Sequence, residues 1–118
     1  MSFDERQVED ITILDLEGRL TFTAGTELSG RVMTLAAMRS TKIVLNLERV
    51  SYIDSAGLGA LVHAFTWMRG AHGALKFVNP SVRTQHVLQI TGIATLVETF
   101  ASEKLAIASF ADPQKLPA

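Results

Sequence analysis

The chain has 118 residues, enough to bury the core of one domain without disulfides or structural metals. Eleven Lys and Arg against twelve Asp and Glu leave a net charge of −1, and no basic cluster stands out, so we expect no nucleic-acid partner and no anionic-membrane surface. The absence of cysteine excludes disulfides and thiolate metal sites and fits a reducing cytosol.

Targeting signals and membrane spans are not predicted. Residues 1–6 lack the basic start and the apolar stretch of a signal peptide, and no apolar run approaches the ~20 residues of a membrane span. We therefore expect a cytoplasmic protein with a single domain over residues 1–118, a core at about 8–110, and loose termini at 1–7 and 111–118.

The first part of the chain is predicted to form strands followed by a helix. Residues 11–16 have the composition of a strand, and a turn at 17–18 separates them from a second short strand at 19–22. Thr23 is a suitable N-cap for a helix that reaches about Arg39.

The strongest local pattern is a buried strand joined to an amphipathic helix. Residues 43–47 form an apolar run with the β-branched content of a strand buried on both faces. In the following helix, which is predicted to begin at Ser55, five apolar side chains fall within one arc about 120° wide, as expected of a helix packed on a sheet. These side chains are Leu58, Leu61, Val62, Phe65 and Met68.

The second part of the chain continues the alternation of strands and helices. We predict a strand at 74–78, a helix at 81–90, a short strand at 97–100, and a last helix that Ser102 caps and that ends near Phe110. This alternation predicts the α/β class, with a mixed sheet of about four to five strands and about four helices packed on it.

No enzyme motif fits the segment around Ser55. A dinucleotide fingerprint needs a small residue where Val62 stands, a nucleophile elbow needs glycine where Ile53 stands, and the chain has no Gly-Lys pair for a Walker loop. The three histidines lack the paired spacing of a metal or acid–base site. We therefore predict no catalytic residue, no metal site and no cofactor.

Ser55 itself has two interpretations on chemistry alone. As an N-cap, its hydroxyl would accept a hydrogen bond from a free backbone N–H and stabilise the helix by about 1 kcal/mol. Alternatively, the free N–H groups and the positive end of the helix macrodipole favour a phosphate here, and Gly57 and Gly59 leave the backbone open to a close approach. The residues alone favour the plain N-cap.

Several segments together resemble one known family. Ile-Asp-Ser-Ala-Gly-Leu-Gly at 53–59, preceded by the run at 44–47, resembles the signature of STAS domains, in particular the bacterial anti-sigma-factor antagonists. Leu-Glu-Gly-Arg-Leu at 16–20, Asn-Pro-Ser-Val-Arg at 79–83 and Thr-Gly-Ile at 91–93 are similar to further landmarks of the family. The resemblance covers most of the chain and implies the STAS fold.

The resemblance implies a regulatory switch rather than an enzyme. In this family the unphosphorylated antagonist binds an anti-sigma factor that is itself a serine kinase, which frees a sigma factor for transcription. The kinase then phosphorylates the motif serine, here Ser55, and a PP2C-type phosphatase resets it. We expect a monomer or a weak homodimer. The implied partner-binding residues are Thr21, Thr23, Asp54, Ser55, Ala56, Gly57, Leu58 and Gly59.

Two positions depart from the family pattern. Ala56 stands where many antagonists have a second hydroxyl residue, which leaves Ser55 as the single acceptor of the motif. Thr21 stands where the family usually has an aspartate near the phosphorylation loop, which removes a polar contact for the kinase.

Two other functions stay open. The domain could be a scaffold or regulatory subunit of a stress-sensing assembly or a transporter, with Ser55 only an N-cap. It could also be a small-ligand sensor with its site at the strand ends. We expect Trp67 to pack under a loop, whereas an exposed Trp67 would suggest a contact with a partner or a second subunit. Met33, Met38 and Met68 are predicted core residues.

Overall fold

The structure, a computed structural model, describes residues 1–111. Its strands are β1 (Ser2–Val8), β2 (Ile11–Leu20), β3 (Lys42–Ile53), β4 (Ala74–Val78) and β5 (Thr99–Phe100). Its helices are α1 (Phe22–Ala37), α2 (Ser55–Gly70), α3 (Val82–Ile90), α4 (Ile93–Leu96) and α5 (Glu103–Ala111). The predicted loose segment at 111–118 lies outside the described residues, apart from Ala111 at the end of α5.

The strands form one mixed sheet in the order β1-β2-β3-β4-β5. β1 is antiparallel to β2, and the other neighbours are parallel. Because alternate residues of a strand point to opposite faces, Leu14 and Leu45 pack with α1, α2 and α3, whereas Ile13 and Val44 pack with α5 on the other face. The predicted α/β class is confirmed. The single-turn helix α4 was not predicted.

The prediction of a loose N-terminus is wrong. Residues Ser2–Val8 form the edge strand β1, which pairs with β2 from Ser2 opposite Glu17 to Val8 opposite Ile11. The side chains of this segment are mostly polar and exposed, so they give no apolar pattern. Its order comes instead from the hydrogen-bonded ladder to β2 and from Phe3, which packs against the main core.

The predicted turn at 17–18 is also wrong, because β2 runs through it as one strand. Gly18 has a φ of +115°, and the pairing with β3 shifts register between Asp15 and Glu17 and again between Gly18 and Arg19. Gly18, which suggested a turn in the sequence, instead allows a positive φ at an irregularity within one continuous strand.

The prediction that Met33 and Met38 are core residues is wrong as well. Met68 is fully buried, as predicted, but Met33 and Met38 are 37% and 70% exposed. In α3, Leu88 is buried, whereas Val82 is exposed. α3 has nine residues with few apolar positions, so the sequence alone did not define its buried face.

Arg6 joins β1 to the rest of the domain. Its guanidinium contacts Asp15 on β2 at 2.5 Å and Glu103 on α5 at 2.6 Å. Asn46 Nδ2 also donates to Asp15 Oδ1, at 2.8 Å. The hydrogen bond from Arg6, supported by that from Asn46, holds the pKa of Asp15 below its ordinary value although partial burial opposes the shift.

This network should make stability depend on pH in the acid range. The pKa of Asp15 is lower in the folded protein than the ordinary value of 3.8. Its stabilising contribution is therefore complete above that value and is lost as the pH falls through the lower folded pKa. Thermal unfolding between about pH 2 and 7 should show an acid-range loss of stability that is smaller in Asp15→Asn than in the wild type. Identical profiles would contradict this role for Asp15.

Candidate functional site

The predicted site lies at the edge of the sheet where β2 and β3 end. Leu20 and Ile53 are register partners at these ends, and the Asp54 N–H donates to the Leu20 carbonyl at 3.3 Å. α1 begins at Phe22 and α2 at Ser55. Two helix starts therefore lie at the carboxyl edge of parallel strands, where α/β proteins usually place their sites.

The residue that caps α2 is Asp54 rather than Ser55. Asp54 Oδ1 accepts a hydrogen bond from the Gly57 N–H at 2.8 Å, and the Asp54 backbone is extended, as is typical of an N-cap. Ser55 is the first residue of α2 and is exposed, and its hydroxyl makes no hydrogen bond with any residue between 1 and 111. The prediction that Ser55 caps the helix is wrong, and its hydroxyl is available for another role.

Stability measurements should separate these two residues. Asp54→Ala removes the capping acceptor and should cost about 1 kcal/mol. Ser55→Ala removes no intramolecular contact and should change stability by less than about 0.5 kcal/mol. Asp54→Asn keeps an acceptor oxygen and is the matched control, expected near the wild type. Urea denaturation measures all three, and equal losses for Asp54→Ala and Ser55→Ala would mean that Ser55 shares the capping.

Gly57 and Gly59, predicted to admit a partner's backbone, have different surroundings. Gly57 is buried, and a Cβ added to it would lie 2.0 Å from the Leu20 carbonyl oxygen. Gly59 is exposed, and an added Cβ would meet nothing within 4 Å. Gly57 thus permits α2 to start directly against β2 of its own chain, and this buried position is not available to a partner.

The other predicted contact residues surround Ser55. Thr21 occupies the N-cap position of α1 without a side-chain hydrogen bond, so the prediction that Thr23 caps this helix is wrong. Thr23 stands one residue inside the first turn and is exposed. The predicted contact residues that are exposed or half-buried are Thr21, Thr23, Asp54, Ser55, Ala56, Leu58 and Gly59.

Phe22 is an exposed residue beside the predicted site that was not among the predicted contact residues. It is 72% exposed, although it stands between two of the predicted contact residues. Together with Ala56 and Gly59 it lines a groove of about 330 Å³ between the first turns of α1 and α2. The helical periodicity of α1 already indicated that Phe22 is exposed, because Phe22 lies about 120° around the helix from the buried Leu28.

A second groove follows along the same two helices. Trp67 is 42% exposed, so the prediction that it packs under a loop is wrong. Its ring lies 6.3 Å from that of His63, which borders both grooves. The second groove has a volume of about 520 Å³ and is lined by Met33, Ala36, Ala37, His63, Thr66, Trp67, Gly70 and Ala71.

The opposite side of this edge carries an arginine stacked on a tyrosine. Arg19 and Tyr52 are register partners next to the ends of β2 and β3, and the Arg19 Cζ lies 4.4 Å from the centre of the Tyr52 ring.

Among residues 1–111, no group of three His, Cys, Asp or Glu side chains is placed to hold a metal ion. Within the same range, no helix combines the length and the apolar character needed to cross a bilayer.

Comparison with known proteins identifies the family. The sequence model of the STAS domain matches residues 2–106. The chain belongs to the STAS domain family. This STAS domain is 27% identical over 104 residues to the anti-sigma-B factor antagonist of Bacillus subtilis, a match that covers 88% of this chain and 94% of that protein. STAS anti-sigma-factor antagonists are regulators that are not enzymes.

Solved structures share the fold of this STAS domain. An anti-sigma factor antagonist from Mycobacterium paratuberculosis has a TM-score of 0.83 at 15% identity and covers 94% of each chain. The phosphorylated Bacillus cell fate determinant SpoIIAA has a TM-score of 0.72 at 24% identity, covering 92% of this chain and 99% of that one. A sulfate transporter family protein from Wolinella succinogenes has a TM-score of 0.77 at 21% identity, covering 86% and 85%.

Proposed function

We propose that this STAS domain is an anti-sigma-factor antagonist whose phosphorylation switch is Ser55. In its unphosphorylated form it binds an anti-sigma factor that is a serine kinase, and this binding frees a sigma factor for transcription. The observation that carries the proposal is the free, exposed hydroxyl of Ser55 on the first turn of α2, at the family's motif position. A serine needed only as a cap would instead have its hydroxyl bonded to the helix backbone.

The chemistry of the switch belongs to the partner. The Ser55 Oγ attacks the γ-phosphorus of ATP in the kinase, an O–P bond to Ser55 forms, the bond to the β-phosphate oxygen breaks, and ADP leaves. The hydroxyl proton passes to a base of the kinase. A PP2C-type phosphatase hydrolyses the phosphate and restores the hydroxyl. This chain supplies an accessible nucleophile on a fixed helix start and needs no cofactor of its own.

The surroundings of Ser55 explain how a phosphate releases the partner without unfolding the domain. The helix start favours an anion because the first backbone N–H groups and the macrodipole are positive there. At the surface, the phosphate adds about −1.5 to −2 charges beside Asp54. A partner interface that fits a neutral hydroxyl then faces two neighbouring anionic groups, the phosphate and the Asp54 carboxylate. The phosphorylated form therefore binds the partner weakly, whereas the domain stays folded.

Phosphoryl transfer tests the proposal. The wild type, Ser55→Ala and Ser51→Ala are incubated with Mg-ATP and the anti-sigma factor kinase of the same organism, and the products are mapped by mass spectrometry. Ser51 is a matched control because it is an exposed serine four residues away, on β3. We expect one phosphate at residue 55 in the wild type and in Ser51→Ala, and none in Ser55→Ala. Equal phosphorylation of all three proteins would refute Ser55 as the acceptor.

A scaffold or regulatory-subunit role is the second candidate, and the exposed Trp67 favours it. An exposed tryptophan in a groove is a common anchor of protein–protein contacts. If this role is the correct one, Trp67→Ala should disrupt an assembly that Ser55→Ala leaves intact, as measured by sedimentation of the purified chain alone and with its partner. The antagonist role predicts that kinase binding depends on the state of Ser55.

A further inference from the structure

The two grooves beside Ser55 form one continuous surface along α1 and α2. They have volumes of about 330 and about 520 Å³, and His63 lines both. The His63 Nδ1 lies 3.2 Å from the Ser29 Oγ, so this pair bridges the two helices where the grooves meet. From Phe22 to Ala37 the surface follows α1 for about 22 Å at the helical rise. We call the two grooves together the α1–α2 groove.

The lining of the α1–α2 groove combines large apolar side chains with an absence of charge. Within residues 1–111, no Asp, Glu, Lys or Arg lines either part, although charged residues make up 19% of the chain. Phe22 is 72%, Trp67 42% and Met33 37% exposed. The centres of protein interfaces are depleted of charged residues and enriched in aromatic residues and Met. The composition of this surface is therefore that of a contact with another protein.

The residues around Ser55 offer a partner no large anchor of their own. The accessible contact residues there are Thr, Asp, Ser, Ala and Gly with a single Leu, whereas binding energy is concentrated in large side chains such as Trp. A stable interface covers about 800 Å² on each partner, roughly 30 Å across. Trp67 lies about 18 Å from Ser55 along α2. A partner of ordinary interface size that covers Ser55 is therefore wide enough to contact Trp67 as well.

We propose that a helix of the anti-sigma factor lies in the α1–α2 groove and packs an apolar face of about four turns on Trp67, while the same protein contacts Ser55. This contact rests on the proposed function, because it assigns a second surface to the same partner. The groove fits a helix because its walls are helices, whose backbone groups are bonded internally. An extended segment would find no backbone partners there, whereas a helix satisfies its own N–H and C=O groups.

The two contacts have different roles in the switch. The distance of about 18 Å between Trp67 and Ser55 exceeds the Debye length of about 8 Å at physiological ionic strength. A phosphate on Ser55 therefore acts on the partner at the helix start and leaves the groove contact nearly unchanged. Trp67 thus contributes affinity in both states of Ser55, and phosphorylation lowers the affinity that the groove helps to supply.

Four variants test the groove contact by their affinity for the purified anti-sigma factor kinase of the same organism. Trp67→Ala removes the anchor and Ala37→Glu places a carboxylate in the uncharged lining, so each should bind at least about tenfold more weakly than the wild type. Leu105→Ala and Ala108→Glu are matched controls at exposed positions of α5, on the other face of the sheet. Both controls should bind within about twofold of the wild type. Urea denaturation verifies that all four variants are folded.

A fluorine label places the contact at Trp67 itself. Trp67 is the single tryptophan of the chain, so 5-fluorotryptophan gives one ¹⁹F signal, and the unlabelled kinase gives none. The difference in this signal between H₂O and D₂O reports the access of water to the ring. We expect kinase binding to reduce this difference by at least about half, because interface anchors lie in desolvated pockets.

Unchanged affinity in Trp67→Ala and Ala37→Glu would overturn the groove contact, as would an unchanged ¹⁹F isotope effect. Loss of self-association in these variants without loss of kinase binding, seen by sedimentation of the chain alone, would also overturn it, because the groove would then hold a second copy. Failure of the proposed function gives a different result. The chain with phosphoserine at position 55 would then bind as tightly as the wild type, whereas weak binding of Trp67→Ala would still support the groove contact.

Discussion

Gly57→Ala should lower the free energy of unfolding by about 3 kcal/mol. The added Cβ would lie 2.0 Å from the Leu20 carbonyl oxygen and 2.9 Å from its carbon. Both are backbone atoms, so relief requires the start of α2 to move away from β2. The same Leu20 carbonyl accepts the hydrogen bond from the Asp54 N–H, and this movement would strain that bond too.

Gly59→Ala is the matched control for this prediction. It lies two residues further along α2, where an added Cβ meets nothing within 4 Å. Alanine is the better helix former, so this variant should gain up to about 1 kcal/mol. Urea denaturation of the three proteins provides the comparison. If Gly57→Ala were as stable as the wild type, the close packing of α2 on β2 would be incorrect.

The sequence allowed the central strand and the helix after it to be predicted, because both carry strong apolar patterns. Residues 43–47 fall within β3, and four of these five are buried. Leu61 and Met68 of the predicted stripe are fully buried, and Leu58 packs against the core. The Ser102 hydroxyl accepts from the Leu105 N–H at 3.2 Å, as its predicted capping role requires. Such patterns are local and do not depend on which elements become neighbours.

The cap of α2 could not be assigned from the sequence. Asp54 and Ser55 are adjacent, and both are residue types that N-caps prefer. The choice between them depends on where the extended chain of β3 turns into the helix, which tertiary pairing with Leu20 decides. The close approach of α2 to Leu20 also explains Gly57. In the sequence, a glycine that is required by packing against a residue distant in the chain cannot be distinguished from a glycine that admits a partner's backbone.

The exposure of Trp67 could not be predicted from the sequence of α2 alone, because it depends on how α2 packs against α1. α2 packs against α1 as well as the sheet, and a Cβ added to Gly25 would come within 2.8 Å of the Ala60 Cβ. By helix phase, Trp67 shares this side of α2 with Ala60 and Ala64. Small residues let the helices approach closely near their starts, whereas the large Trp67 ring at the other end borders a groove.

Phosphorylation of Ser55 should weaken binding of the anti-sigma factor kinase several-hundred-fold, which corresponds to about 3–4 kcal/mol. The physical reason is charge, since about −1.5 to −2 units appear on an exposed first turn beside Asp54. Ser55→Ala is small and neutral and should bind within a few-fold of the wild type. Phosphoserine encoded at position 51 adds the same charge on the adjoining strand and should weaken binding much less.

Isothermal titration calorimetry of the purified kinase, with the wild-type chain and with the chain that carries phosphoserine at position 55, measures directly whether Ser55 is the switch. We expect tight binding of the wild type and an affinity for the phosphorylated chain that is several-hundred-fold lower. Equal affinities for the two forms would mean that Ser55 is not the switch.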